Sequence, residues 1–260
     1  MGISMERERL YQTDGLVLQH MDFGEADRLL TVFTPRLGRL RLLAKGARKP
    51  TSRKAGHLEP FTYVHLLVAR GRNLDIVSQV ETLEAFRPLR EDLELASQAY
   101  YLAELINSFI EEGDENPPLF DLTLATLARL CEERDRMLAL RFFELRCLGF
   151  VGYQPQLYFC VECRAQLEPV TNYFHPPSGG VLCPRHGEAV RSAEPLAMPT
   201  FKVLRYMQTH PWEQVKTLRI KLETHLDLEA ILQRYIVHVL ERRLKSVDFI
   251  HRLRREAQAP

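Results

Sequence analysis

From Leu10 to Val80 the apolar residues recur at every second position, in short runs broken by glycine or proline. That is the spacing of antiparallel strands with one buried face. It predicts five strands, at 15–20, 28–34, 38–45, 61–69 and 74–80, with turns at 34–38 and 69–73. Five short strands in about 70 residues suit a small closed barrel of the OB type.

After Glu81 the period lengthens. Leu102, Leu105, Ile106, Phe109 and Ile110 fall at helical spacing, as do Leu119, Leu122, Leu127, Leu130 and Cys131, and Asn116-Pro117-Pro118 separates the two sets. A third helix starts near Arg136 and ends near Gly149 and Gly152, where glycine suits a left-handed cap. The final long helix is expected to start after Asp227 as N-cap and to present Ile231, Leu232, Tyr235, Ile236, Val239 and Leu240 on one face. Between them, about 45 residues up to Pro195 show little periodicity, and a loop of that length in a compact domain needs a staple.

The cysteines supply one. Cys160-Val161-Glu162-Cys163 and Cys183-Pro184-Arg185-His186 form C-x2-C followed by C-x2-H, which lets two knuckles meet around one tetrahedral ion. Thiolate and imidazole are the ligands zinc prefers, and four protein donors leave no position for water, so one structural Zn2+ on Cys160, Cys163, Cys183 and His186 is expected. His175 is a reserve ligand. Cys131 and Cys147 sit on apolar helical faces as core. The expected class is thus α+β multidomain: a five-stranded OB-fold barrel over 1–80, an all-α domain over 81–252 with a zinc-knuckle insertion at about 153–195, and a frayed tail at 253–260.

Net charge is +1, but its distribution is uneven. Between Arg28 and Leu58 lie nine of the 35 basic residues and none of the 34 acidic ones, so the remainder carries −8. In Arg39-Leu40-Arg41-Leu42 strand alternation puts both arginines opposite the leucines. Lys45 continues the cationic side, and the loop through Arg48, Lys49, Arg53 and Lys54 adds four charges suited to tracking a phosphate backbone. Nucleic acid is the expected partner, on a barrel type that commonly binds single strands; a solvated basic loop is the plain alternative. Phe61, Tyr63 and His65 alternate onto one face and serve either as a stacking platform or as barrel core. Trp212 is expected to pack against the last helix.

Catalytic signals are absent. His57-Leu58-Glu59 matches half of a zinc-deaminase signature, but no P-C-x-x-C follows, and the chain has no P-loop, dinucleotide-binding or nucleophile-elbow motif. No apolar run has the length of a signal peptide or membrane span, which predicts a cytoplasmic protein. Five cysteines then read as thiols or metal ligands rather than disulfides.

Three stretches resemble the RecO family: Asp14-Gly15-Leu16-Val17-Leu18 with Asp27-Arg28-Leu29-Leu30-Thr31-Val32-Phe33-Thr34; Ala44-Lys45-Gly46-Ala47-Arg48-Lys49 running on to Leu58-Glu59-Pro60-Phe61; and Arg243-Leu244-Lys245-Ser246. The resemblance implies an OB-fold, a helical domain and a zinc-binding insertion. It further implies a non-enzymatic mediator of DNA repair and recombination that binds and anneals DNA, associates with RecR and single-strand-binding protein, and helps RecA load. The fourth metal position is often Cys in this family, so His186 rests on local chemistry. Rival readings are an RNA-binding OB protein, a zinc hydrolase, and an adaptor whose basic loop meets an acidic protein tail.

Overall fold

The computed structural model describes residues 9–257. The chain divides into two compact units, one running up to residue 131 and resuming at 246, the other spanning 132–245.

The first unit is built on a closed barrel of β1 (Leu10–Phe23), β2 (Asp27–Thr34), β3 (Gly38–Ala44), β4 (Tyr63–Ala69) and β5 (Asp75–Glu84), in the order β1-β2-β3-β5-β4. β3 and β5 pair in parallel at Leu42 and Leu43, and every other pairing is antiparallel. Val17, Leu30, Val32, Leu40, Leu42, Val64, Leu66, Val68 and Val77 fill the interior, joined by Ala47 and Leu58 from the β3–β4 connection. β1 is longer than its period predicts because it serves two neighbours: its first half pairs with β4 and its second with β2. β4 starts at Tyr63 rather than Phe61, since Phe61 adopts a left-handed backbone (φ 64°) and buries its ring edge-on against Tyr100. Tyr63 and His65 face outward, with Asp14 accepting from both, and Tyr63 lies edge-on to Phe120; Val64, Leu66 and Val68 take the core.

The short α1 (Pro88–Glu91) leads into α2 (Leu93–Phe109), which Asp92 caps by accepting from Leu95 N–H, and α3 (Pro117–Glu132) follows. The α2–α3 connection clasps the β2–β3 turn: Arg39 N–H donates to Glu111 O, Gly113 N–H to Leu37 O, and Asn116 N–H to Pro35 O. The approach demands glycine at 38, whose φ is +64° and where a Cβ would lie 2.0 Å from Glu111 O. The chain returns to this unit as α9 (Lys245–Ala257), whose first turn is tied to α2 by Ser246 N–H donating to Glu104 Oε2 at 2.8 Å. α9 presents a narrow apolar stripe of Val247, Ile250 and Leu253 on a largely polar helix, and of these only Ile250 is fully buried. The expected frayed tail is therefore helical through 257, and its last residues lie outside those described.

In the second unit, α4 (Arg136–Phe150) is capped by Asp135, which accepts from Leu138 N–H. An insertion follows, with β6 (Asn172–His175), β7 (Gly180–Leu182), α5 (Pro184–Gly187) and β8 (Glu194–Leu196), the three strands forming a small sheet in the order β7-β6-β8. Strands of three or four residues are too short to show a period, which is why this stretch reads as loop in sequence. α6 (Met198–Thr209), α7 (Trp212–Val215) and α8 (Leu222–Leu240) complete the unit. α8 begins five residues before the expected Asp227: Lys221 occupies the cap position, and Asp227 lies within the helix, where its carboxylate accepts from Thr200 Oγ1. Trp212 packs on Phe142 of α4, with ring centroids 5.5 Å apart, and its indole N–H donates to Glu133. Deep between α4 and α8, the Arg141 guanidinium meets Glu144 at 2.7 Å and Glu229 at 3.5 Å, all three buried.

Candidate metal centre and nucleic-acid interface

Two turns bring the cysteines and histidine together. In the first, Arg164 N–H donates to Cys160 O, and Arg164 itself adopts φ +62° to close the knuckle. In the second, Cys183 stands at the N-cap of α5 with Pro184 next, a position where a missing N–H costs nothing. Val161 N–H donates to Val181 O and Cys183 N–H to the Cys160 sulfur, which stitches the turns to each other. One ligand atom each from Cys160, Cys163, Cys183 and His186 then lies within 4.8 Å of every other. His186 Nδ1 is 3.8 Å from Cys160 Sγ and 3.2 Å from Cys183 Sγ. A tetrahedral ion with bonds of about 2.0–2.3 Å separates its donors by about 3.3–3.8 Å, close to the two His186 spacings, so the four donors could hold a metal ion.

The electrostatics favour a thiolate at one position. Burial opposes the charged form of Cys160, but the N–H groups of Cys163, Cys183 and Glu162 directed at its sulfur outweigh that and bring the thiol down to about 6. Burial and the neighbouring Cys160 push Cys183 the other way. His175 is not part of the cluster, because Ser178 and Ser192 hydroxyls engage its two ring nitrogens. Cys147 is buried, and Cys131 is half-buried on α3.

One supporting residue escaped the sequence reading. Arg205 of α6 donates from Nε to Leu157 O at 2.7 Å and lays its guanidinium over Tyr158 and Phe201, at 4.8 and 4.2 Å from the ring centroids. It fastens the start of the insertion to α6. Its partner is 48 residues away, so no local motif announces it.

The cationic stretch separates into two groups. Arg41, Lys45, Lys49 and Arg53 are exposed. The other expected contacts are already engaged: Arg39 donates to Asn107 O, Arg48 pairs with Asp22, and Lys54 Nζ donates to Val77 O at 2.7 Å. Arg28 is neutralised by Glu59 at 2.9 Å. The loop is not loose. Gly46 N–H donates to Asp27 Oδ1 at 2.7 Å and Arg48 N–H to Ala26 O at 2.9 Å, which holds the charges against the β1–β2 hairpin.

Two family models match in tandem, "Recombination protein O N terminal" over residues 5–86 and "Recombination protein O C terminal" over residues 90–248. The chain belongs to the RecO family. Among RecO relatives, one from Roseiflexus sp. (strain RS-1) is 45% identical over 248 residues, covering 95% of this chain and 87% of its own. One from Desulforudis audaxviator (strain MP104C) is 39% identical, covering 94% and 97%. A third, from Dehalococcoides mccartyi (strain CBDB1), is 34% identical, covering 96% and 98%. Each is named "DNA repair protein RecO". The RecO N-terminal match ends just past β5, and the knuckle lies inside the RecO C-terminal match.

Proposed function

We propose that this chain is a mediator of DNA repair and homologous recombination that binds single-stranded DNA, and duplex DNA beside it, on the cationic side of its barrel. The observation that carries this is the group of exposed cations, Arg41, Lys45, Lys49 and Arg53, held by the anchored loop on a fold whose outer surface commonly receives single strands. Arg39, Arg48 and Lys54 belong to the same surface and contribute after exchanging their present partners. No bond is made or broken. Bringing two phosphate backbones together is repulsive, and a dispersed cationic surface lowers that barrier without nucleotide hydrolysis, so strand annealing follows from charge neutralisation.

In this reading Cys160, Cys163, Cys183 and His186 hold one Zn2+, which supplies folding energy to the insertion and no chemistry, since four protein donors complete its tetrahedron. RecR and single-strand-binding protein are the protein partners, with RecA served indirectly, as the RecO resemblance implies. Among the described residues no helix is long and apolar enough to cross a membrane, which suits action in the cytoplasm at the nucleoid.

If the four exposed cations each engage one phosphate, log affinity for an oligo-dT strand falls with log salt at a slope near about −3, from roughly −0.7 per contact. A titration series at increasing salt reads this directly. A slope near zero would remove the electrostatic basis of the proposal.

A further inference from the structure

Strand register gathers residues from three strands onto one outward surface. Leu30, Val32, Leu40, Leu42 and Ala44 face the barrel core, so alternation turns Thr31, Arg41 and Leu43 to the opposite face; Leu29 shares that face but is itself covered, at 6% exposure, and Leu43 is half-buried. Pairing aligns Gln19 with Thr31 and Thr31 with Arg41; the next rung aligns Met21 with Leu29 and Leu29 with Leu43; Phe23 stands beyond, opposite Asp27. The Gln19 amide nitrogen donates to Thr31 Oγ1 at 3.3 Å, as side chains on one face can. Met21 is 59% exposed and Phe23 45%, whereas Leu16, Val17 and Leu18 of the same strand are at most 1% exposed.

This apolar strip is bordered by charge. Arg41 lies one rung to one side of the Met21–Leu29–Leu43 rung. On the other side come Lys45, just past the end of β3, and the loop carrying Arg48 and Lys49 that is bonded to Ala26 and Asp27. Arg41 and Lys45 are four residues apart, about 13 Å along an extended chain. An apolar patch rimmed by cations marks a binding surface, and the charge identifies the occupant. A single nucleic-acid strand presents phosphates and flat apolar bases side by side at regular spacing, which matches an apolar strip lying between cations.

We infer that Met21, Phe23 and Leu43 form a base-contacting strip, with Phe23 as its stacking ring, between phosphate contacts at Arg41 and at Lys45 and Lys49. The inference rests on the DNA-binding reading above and deepens it by assigning the bases a place. The Met21–Leu29–Leu43 rung carries no side-chain polar group, and in the neighbouring rung Gln19 and Thr31 bond each other, so the strip reads no sequence and favours a base over no base.

The test compares the full chain on labelled oligo-dT and on an abasic strand of equal length, for the wild type, Met21→Ser/Phe23→Ser and Phe23→Trp, with circular dichroism checking the fold. Stacking of one base corresponds to about 5-fold or more in affinity. The wild type and Phe23→Trp are expected to prefer dT by at least that factor, and the double serine variant to bind dT only as well as the abasic strand. Equal wild-type affinity for the two strands, or a preference that survives in the double serine variant, overturns the strip and points to a protein as its occupant. Arg41→Ala/Lys45→Ala/Lys49→Ala separates the two claims. If that variant loses binding while the wild type shows no base preference, only the strip fails. If the wild type binds neither strand, the DNA-binding reading fails with it.

Discussion

Replacing Cys160 with Ser is expected to strip the metal from the chain and disorder the insertion between α4 and β8. Cys160 is the cluster's buried donor, and three backbone N–H groups already support its thiolate. Serine offers a far poorer ligand, and the other three donors cannot close a tetrahedron. Metal binding to small Cys/His sites is worth about 10–16 kcal/mol of apparent free energy when the site folds with its ion. Here part of the insertion is held independently by its sheet and by Arg205, so a loss of several kcal/mol is expected. Metal analysis should fall from one ion per chain to nearly none, and the thermal midpoint should drop; a chelator should reproduce both effects in the wild type. Full metal content in the serine variant would show that the ion, if bound, lies elsewhere.

Arg141→Ala should destabilise the second unit by about 3–5 kcal/mol, the usual cost of removing one partner from a buried ion network. Arg141 is 3% exposed and meets two buried carboxylates, Glu144 and Glu229. Without the guanidinium both carboxylates lose their countercharge in an apolar interior. Removing all three charges together, with Arg141→Met, Glu144→Leu and Glu229→Leu, should restore most of the loss, because well-packed apolar side chains avoid the desolvation cost altogether. Urea unfolding of the two variants reads the contrast, and equal midpoints would mean that the network contributes no pairing energy.

The elements legible in the sequence were those whose information is local. Alternation located five strands, but it left open which face of the fourth is core; the structure puts Val64, Leu66 and Val68 inside and Tyr63 and His65 outside, while Phe61, grouped with them by alternation, is buried. The C-x2-C and C-x2-H spacing found a ligand set that the fold brings within 4.8 Å. What sequence could not show depends on partners far along the chain. Charge counting finds Arg39 and Lys54, but not the carbonyls of Asn107 and Val77, 68 and 23 residues away, that engage them. α9 escaped because its apolar stripe is only three residues wide, Val247, Ile250 and Leu253, near the end of the sequence, and the start of α8 was misplaced because an acidic residue inside a helix resembles a cap when its partner, Thr200, is not visible. The exposed strip of Met21 and Phe23 likewise emerges only from the register of three strands.

The central claim is that exposed cations on the barrel contact single-stranded DNA, and fluorescence anisotropy of labelled oligo-dT with the wild type and Arg41→Ala/Lys45→Ala/Lys49→Ala tests it most directly. The account predicts at least about a tenfold loss of affinity near 0.1 M salt and a salt slope that shrinks from about −3 to about −0.7, with the circular dichroism spectrum unaltered. Unchanged affinity and slope in a folded variant would contradict it.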